Sequence, residues 1–132
     1  MNQVTNYNNN VLHGFYELKD SIGNLVSSGL YKNGIRTGEW TIGAISENGY
    51  KHLEKGHLIK DKKHGSWNEL TTNNKVVVTA NYNMGVLDGD YLKYNLDGFV
   101  IIRNKFKKGE IIEFKLFDDK GKDLDTKYEL TE

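Results

Sequence analysis

The chain has 132 residues, 37% of them hydrophobic and 27% charged, with 18 lysines and arginines balancing 18 aspartates and glutamates. That composition excludes charge-driven disorder and a globally basic nucleic-acid binder, and no apolar run reaches the roughly 18 residues that a membrane-crossing helix needs. With no cysteine there is no disulfide framework, thiolate metal site or cysteine nucleophile, and the polar, uncharged residues 1–10 do not read as a signal peptide.

Taken in order, the elements repeat, and glycine measures the pitch. Tyr7 and Asn10 precede Gly14 at the spacing with which Tyr31 and Gly34 precede Gly38, so residues 1–13 read as half a repeat. Gly14, Gly38, Gly65 and Gly89 then open repeats over about 14–37, 38–64, 65–88 and 89–112, with 24, 27 and 24 residues between them. Each is followed two residues later by an aromatic: Tyr16, Trp40, Trp67 and Tyr91. A turn comes next, at Gly23, Asn48-Gly49, Asn74 and Gly98, and then Tyr31, Tyr82 or Phe106 ahead of Gly34, Gly85 or Gly109. In the 38–64 repeat, Leu58 and Asp61 replace the second aromatic and its glycine. Residues 113–132 form a degenerate capping repeat in which Phe114 and Gly121 fit if one residue is deleted near positions 111–113.

Segments of five to ten residues between the turns are rich in β-branched and aromatic residues and alternate with period two. Val76, Val78, Ala80 and Tyr82 share one face, as do Val100, Ile102, Asn104 and Phe106. No apolar stripe of helical period persists. The expectation is an all-β fold: an elongated, twisted, single-layer antiparallel meander of hairpins, about ten short strands in one domain. Its core should be two ring ladders, one of Tyr16, Trp40, Trp67, Tyr91 and Phe114, the other of Tyr7, Tyr31, Tyr82 and Phe106. The glycine two residues before each ring is expected to let a neighbouring ring lie on bare backbone.

Gly-x-aromatic, a turn, then Tyr-x-x-Gly-x-x-x-Gly at a 24-residue pitch resembles the MORN repeat, most clearly at Tyr31-Lys32-Asn33-Gly34-Ile35-Arg36-Thr37-Gly38-Glu39-Trp40 and Tyr82-Asn83-Met84-Gly85-Val86-Leu87-Asp88-Gly89-Asp90-Tyr91. The resemblance covers about residues 7–130. Five residues after the first glycine the usual unit has a tyrosine. Lys19, Gly43 and Leu70 stand there in three copies and only Tyr94 keeps it, which points to the divergent bacterial and viral class. The resemblance implies protein binding or scaffolding, less often phospholipid contact, and in some bacterial variants antitoxin-type or immunity roles.

Little in the chain suggests chemistry. His13 and His64 occupy one repeat position two repeats apart, about 19 Å across four strands, too far to share a metal. His52, His57 and His64 lack metal-ligand spacing. Residues 118–125 are similar to a calcium loop but lack the acidic twelfth position, and the repeat register makes Gly121 a hairpin turn. No nucleophile elbow, phosphate loop or dinucleotide fingerprint occurs. The sequence therefore assigns no catalytic, cofactor-binding or metal-binding residue, and no cofactor.

Charge is uneven along the chain. Residues 51–108 carry 11 basic against six acidic groups, and residues 109–132 four against eight. The basic stretch coincides with the three-residue excess between Gly38 and Gly65. Irregular loops on repeat scaffolds concentrate recognition, so Lys51, His52, His57, Lys60, Lys62, Lys63 and His64 are the expected partner contacts. The expected partner is another protein, met through the ring-rich repeat surface, as for an antitoxin, immunity or viral host-interaction protein; a second copy could meet the same face or a sheet edge. The alternative is an anionic surface, lipid or nucleic acid, bound by the lysine-rich middle; zero net charge and only two arginines disfavour it. The Asn-rich, Pro-free composition suits an AT-rich bacterial or viral genome, and the expected location is the cytoplasm, that of the host if viral.

Overall fold

A computed structural model of the chain describes residues 2–8, 10–45 and 51–129. Eleven strands are present: β1 Asn2–Asn8, β2 Val11–Lys19, β3 Leu25–Lys32, β4 Ile35–Ile45, β5 Lys51–Ile59, β6 Lys62–Thr71, β7 Val76–Asn83, β8 Val86–Tyr94, β9 Val100–Lys107, β10 Glu110–Phe117 and β11 Asp123–Glu129. They form one open antiparallel sheet in chain order, the expected all-β meander. Among the described residues no helix is long and apolar enough to cross a membrane.

Two turn chemistries close the hairpins, one along each long rim of the sheet. On one rim the turns are two residues long, both with positive φ: Asn33-Gly34, Lys60-Asp61, Met84-Gly85 and Lys108-Gly109. These are type I′ turns, whose twist matches that of the strands they join. Asp61 stands where glycine would cost least, at φ 66°. Its carboxylate compensates by accepting hydrogen bonds from the Arg36 backbone N–H at 2.9 Å and from Arg36 Nε at 3.0 Å. On the other rim a side chain at the first loop position ties the turn. Asp118 Oδ1 accepts the backbone N–H groups of Lys120 and Lys122, and Asp20 and Asn95 do the same in their own turns. The resemblance of residues 118–125 to a calcium loop therefore has a plain cause: the acidic residue satisfies backbone donors. The Asn48-Gly49 turn lies outside the described residues.

The rings gather on one face. Trp40 is 3% exposed, Leu58 1% and Trp67 2%, with Tyr16, Tyr31, Ile42 and Tyr82 packed against them. Parts of the two expected ladders interleave in one layer: Tyr16 stacks on Trp40 at 6.0 Å, while Tyr31 meets both edge-on at 5.4 and 5.2 Å, but Tyr7, expected in the second ladder, is 65% exposed and adds nothing to the core. Arg36 and Lys63 lie over Trp40 and Trp67, at 5.6 and 4.9 Å from the ring centroids. Covering cations and neighbouring rings thus bury the tryptophans in a sheet that has no second layer among the described residues.

The glycines divide their labour differently from the sequence expectation. Gly38 and Gly65 seat no ring, since a Cβ on either would meet nothing within 4 Å. Their φ values of 75° and 78° instead form a wide bulge in which one residue of the odd-numbered strand opposes three of the even-numbered one. The rings lie on Gly29 and Gly56, where a Cβ would fall 2.2 Å from the Trp40 and Trp67 rings. Trp40 Nε1 then donates to Leu30 O, and Trp67 Nε1 to His57 O, each at 3.0 Å. In repeats with tyrosine the latch is an amide: Asn6 Nδ2 donates to Phe15 O at 3.1 Å and Asn81 Nδ2 to Asp90 O at 3.0 Å. Ala80 rather than glycine pairs with the smaller Tyr91.

The three-residue excess between Gly38 and Gly65 lies in the β4–β5 hairpin. Its register runs unbroken from Gly38↔Leu58 to Ile45↔Lys51, so the excess lengthens the hairpin rather than forming a bulge among the described residues.

Candidate functional site

Because paired strand residues share a face, the register sorts the basic segment between two surfaces. Lys51, Lys55 and His57 of β5 and Lys62, His64, Ser66 and Asn68 of β6 belong to the face opposite the rings. His52, Glu54, Lys63 and Glu69 belong to the ring face. Lys60 stands at the turn tip.

The seven expected contacts therefore separate. His57 and His64 are cross-strand partners and line one groove. Lys62 precedes His64 by two residues on the same face, and Lys51 lies toward the far end of β5. His52 and Lys63 join a network on the ring face. Lys63 Nζ bonds Glu54 Oε1, while His52 Nε2 lies 3.5 Å from Glu54 Oε2 and 3.8 Å from Glu69 Oε1. Glu54 and Glu69 oppose each other across the strands, an arrangement that repels unless cations intervene. Lys63 supplies that screening, and it also covers Trp67 and Tyr82. These two side chains are committed to the core network, and the other five face outward.

The groove at His57 and His64 has a volume of about 420 Å³ and is lined also by Glu39, Lys55, Ser66 and Asn68. His57 Nδ1 lies 3.2 Å from Glu39 Oε1. His64 Nδ1 accepts the backbone N–H of Met84 at 3.2 Å, and His13 Nδ1 accepts that of Asn33 at 3.3 Å. That acceptor role explains the shared repeat position of the two histidines: each secures the following hairpin's turn. It leaves the His64 proton on Nε2. Asn68 Oδ1 accepts a hydrogen bond from the Thr79 hydroxyl at 3.0 Å.

A second groove of about 370 Å³ adjoins the first on the same face, lined by Phe15, Ser28, Leu30 and Thr41 and sharing Glu39 and Lys55 with it. Phe15 and Leu30 are directly paired and remain 44% and 48% exposed. Sequence reasoning did not single out Glu39, Lys55, Ser66, Asn68 or this apolar pair. Strand alternation could have found them only once the bulges had been placed.

Burial pushes the Tyr31 and Tyr91 phenols above their ordinary value, with Glu69 adding to the effect on Tyr91. Hydrogen bonds from backbone N–H groups, Asn24 first at Asp20 and Lys122 first at Asp118, hold those carboxyls below theirs. All four groups belong to core or turns rather than to either groove. Among the described residues no group of three or more His, Asp or Glu is arranged to hold a metal. No protein-family model matches the chain, and comparison with curated proteins finds no match.

Proposed function

We propose that this chain is a divergent MORN-variant repeat protein acting in the cytoplasm as a non-catalytic protein-binding module. The observation that carries the reading is the division of labour between the faces. On the ring face Tyr16, Tyr31 and Tyr82 are engaged in burying Trp40 and Trp67. The opposite face, which no second layer covers, keeps two adjoining open grooves and the exposed pair Phe15 and Leu30. Apolar residues flanked by polar groups on an otherwise charged surface are the ordinary make-up of a protein contact. The partner surface in this reading is thus the face opposite the rings, rather than the rings themselves.

The test is capture from extracts of the source cells with the tagged chain as bait, beside a Phe15→Ser/Leu30→Ser variant. Both side chains are about half exposed, so the variant should keep its fold, checked by circular dichroism. Expected is a protein enriched over a tag-only control and lost with the variant. Enrichment of no protein, or enrichment that a folded variant leaves untouched, refutes the reading.

A further inference from the structure

The two long rims of the sheet differ in charge. The rim of type I′ turns carries Lys32, Lys60, Lys62, Lys107 and Lys108, all exposed, within the turns or next to them. None of the five has an ion-pair partner among the described residues. The acids on that rim are Asp61, which Arg36 engages, and Glu110. On the opposite rim, the described turns mix four aspartates, Asp20, Asp97, Asp118 and Asp119, with three lysines, Lys75, Lys120 and Lys122. Interspersed with the I′-rim lysines are Val11, Ile35 and Val86, each the first residue after its turn and each exposed.

One backbone N–H group in each I′ turn is already engaged. Gly34, Asp61, Gly85 and Gly109 donate their N–H groups to carbonyls of Leu12, Arg36, Lys63 and Leu87. The side chains offer unpaired ammonium groups with β-branched residues between them. Successive turns are two strands apart, or about 10 Å, so the lysines span about 29 Å. An extended segment of about nine residues covers that length at about 3.3 Å each.

We propose that this rim docks an extended acidic segment of a partner protein. The inference rests on the protein-binding reading above and adds to the face contact a second one, at the rim, of stated chemistry. Polypeptide is favoured over other polyanions by what the rim lacks. Its turn and flanking residues include no aromatic ring, whereas single-stranded nucleic acid is held by base stacking and membrane surfaces by interfacial aromatics. The nearby Arg36 is committed to Asp61.

The test uses fluorescein-labelled decaglutamate, with decaglutamine as the neutral probe, titrated by fluorescence anisotropy against the whole chain. Expected is saturable binding of decaglutamate alone, weakened at least tenfold in 0.5 M salt, where screening is nearly complete. Charge reversal of Lys60, Lys62, Lys107 and Lys108 to Glu should also weaken it at least tenfold. Reversal of Lys75, Lys120 and Lys122 on the opposite rim should change it less than twofold. Carbodiimide cross-linking of the probe to the wild-type chain, mapped by mass spectrometry, avoids any dependence on variant folding and should mark Lys32, Lys60, Lys62, Lys107 and Lys108. Absence of saturable binding, equal loss in the two reversal variants, or cross-links centred on other lysines overturns the proposal. So does tighter, rim-dependent binding to phosphatidylserine vesicles than to the peptide, which would make the rim a lipid surface. If the bait captures a partner while decaglutamate fails, only this inference falls. If decaglutamate binds at the rim but no partner is captured, the protein-binding reading falls and takes the partner protein of this inference with it, leaving the rim a polyanion site.

Discussion

Gly56 is the position at which the smallest change should do the most damage. A Cβ added there lies 2.2 Å from the Trp67 ring, against an ordinary carbon contact of about 3.5–4.0 Å. The ring must retreat by about 1.3 Å or more. It is 2% exposed, lies under Lys63, and its Nε1 donates to His57 O at 3.0 Å. Overpacking costs about 1–3 kcal/mol, and loss of that hydrogen bond about 1 kcal/mol more. Gly56→Ala should therefore destabilise by about 3 kcal/mol, a fall of about 1.5 M in urea midpoint if the denaturant slope is about 2 kcal/mol/M. Gly65→Ala is the control. Nothing lies within 4 Å of that Cβ, so only the left-handed backbone, at φ 78°, penalises it, by about 1–2 kcal/mol. Tyr91 already pairs with Ala80, so Trp67→Tyr should cost less in the Gly56→Ala background than alone. A Gly56→Ala midpoint no lower than that of Gly65→Ala, or strict additivity with Trp67→Tyr, would refute the ring-on-glycine account.

Other parts of the fold give further expectations. Asn81→Leu should lose about 1 kcal/mol in urea melts, because its amide latches the Asp90 carbonyl at the bulge, whereas Leu30→Asn, in a repeat latched by tryptophan, should gain nothing. Asp118→Ala should lower the melting temperature at neutral pH. Backbone N–H groups hold the folded carboxyl below its ordinary 3.8, so its contribution is present above that value and lost as pH falls through the depressed folded one. The penalty should accordingly vanish in strong acid, and a penalty constant with pH would contradict it. For Tyr91, burial raises the folded value above the ordinary 10.0, so the stabilisation is present below about pH 10 and lost as pH climbs through the raised value. A Tyr91→Phe variant should resist alkaline unfolding better than the wild type, followed by circular dichroism between pH 9 and 12.

Most of the architecture was legible because hairpin chemistry is local. A glycine two residues before a ring, or Asn33-Gly34 between alternating segments, marks a turn or bulge on its own. The seats beneath the rings were harder to read, since Gly29 and Trp40 are eleven residues apart and meet only after pairing. Even so, Gly29, Gly56 and Ala80 each stand eleven residues ahead of their ring, with a larger seat under the smaller ring. That size match could have been found by asking what each ring rests on.

Face assignment was the least legible property, and parity is the reason. A regular strand changes face at every residue, so a bulge with an odd number of extra residues inverts everything beyond it. In β4, β6 and β8 two residues are extra, and alternation survives from Arg36 to Trp40, Lys63 to Trp67 and Leu87 to Tyr91. Lys63 therefore falls on the ring face while Lys62 and His64 fall on the other, dividing a basic cluster that looks continuous in the chain. In β10 the pattern changes. Ile111 pairs with Phe106 and Glu113 with Lys105, so one residue is extra and Phe114 arrives one position early on the ring face. The apparent one-residue deletion and the smaller bulge are the same event. Each keeps the fifth ring aligned with the other four, so it is the ring column rather than the glycine spacing that the repeat preserves.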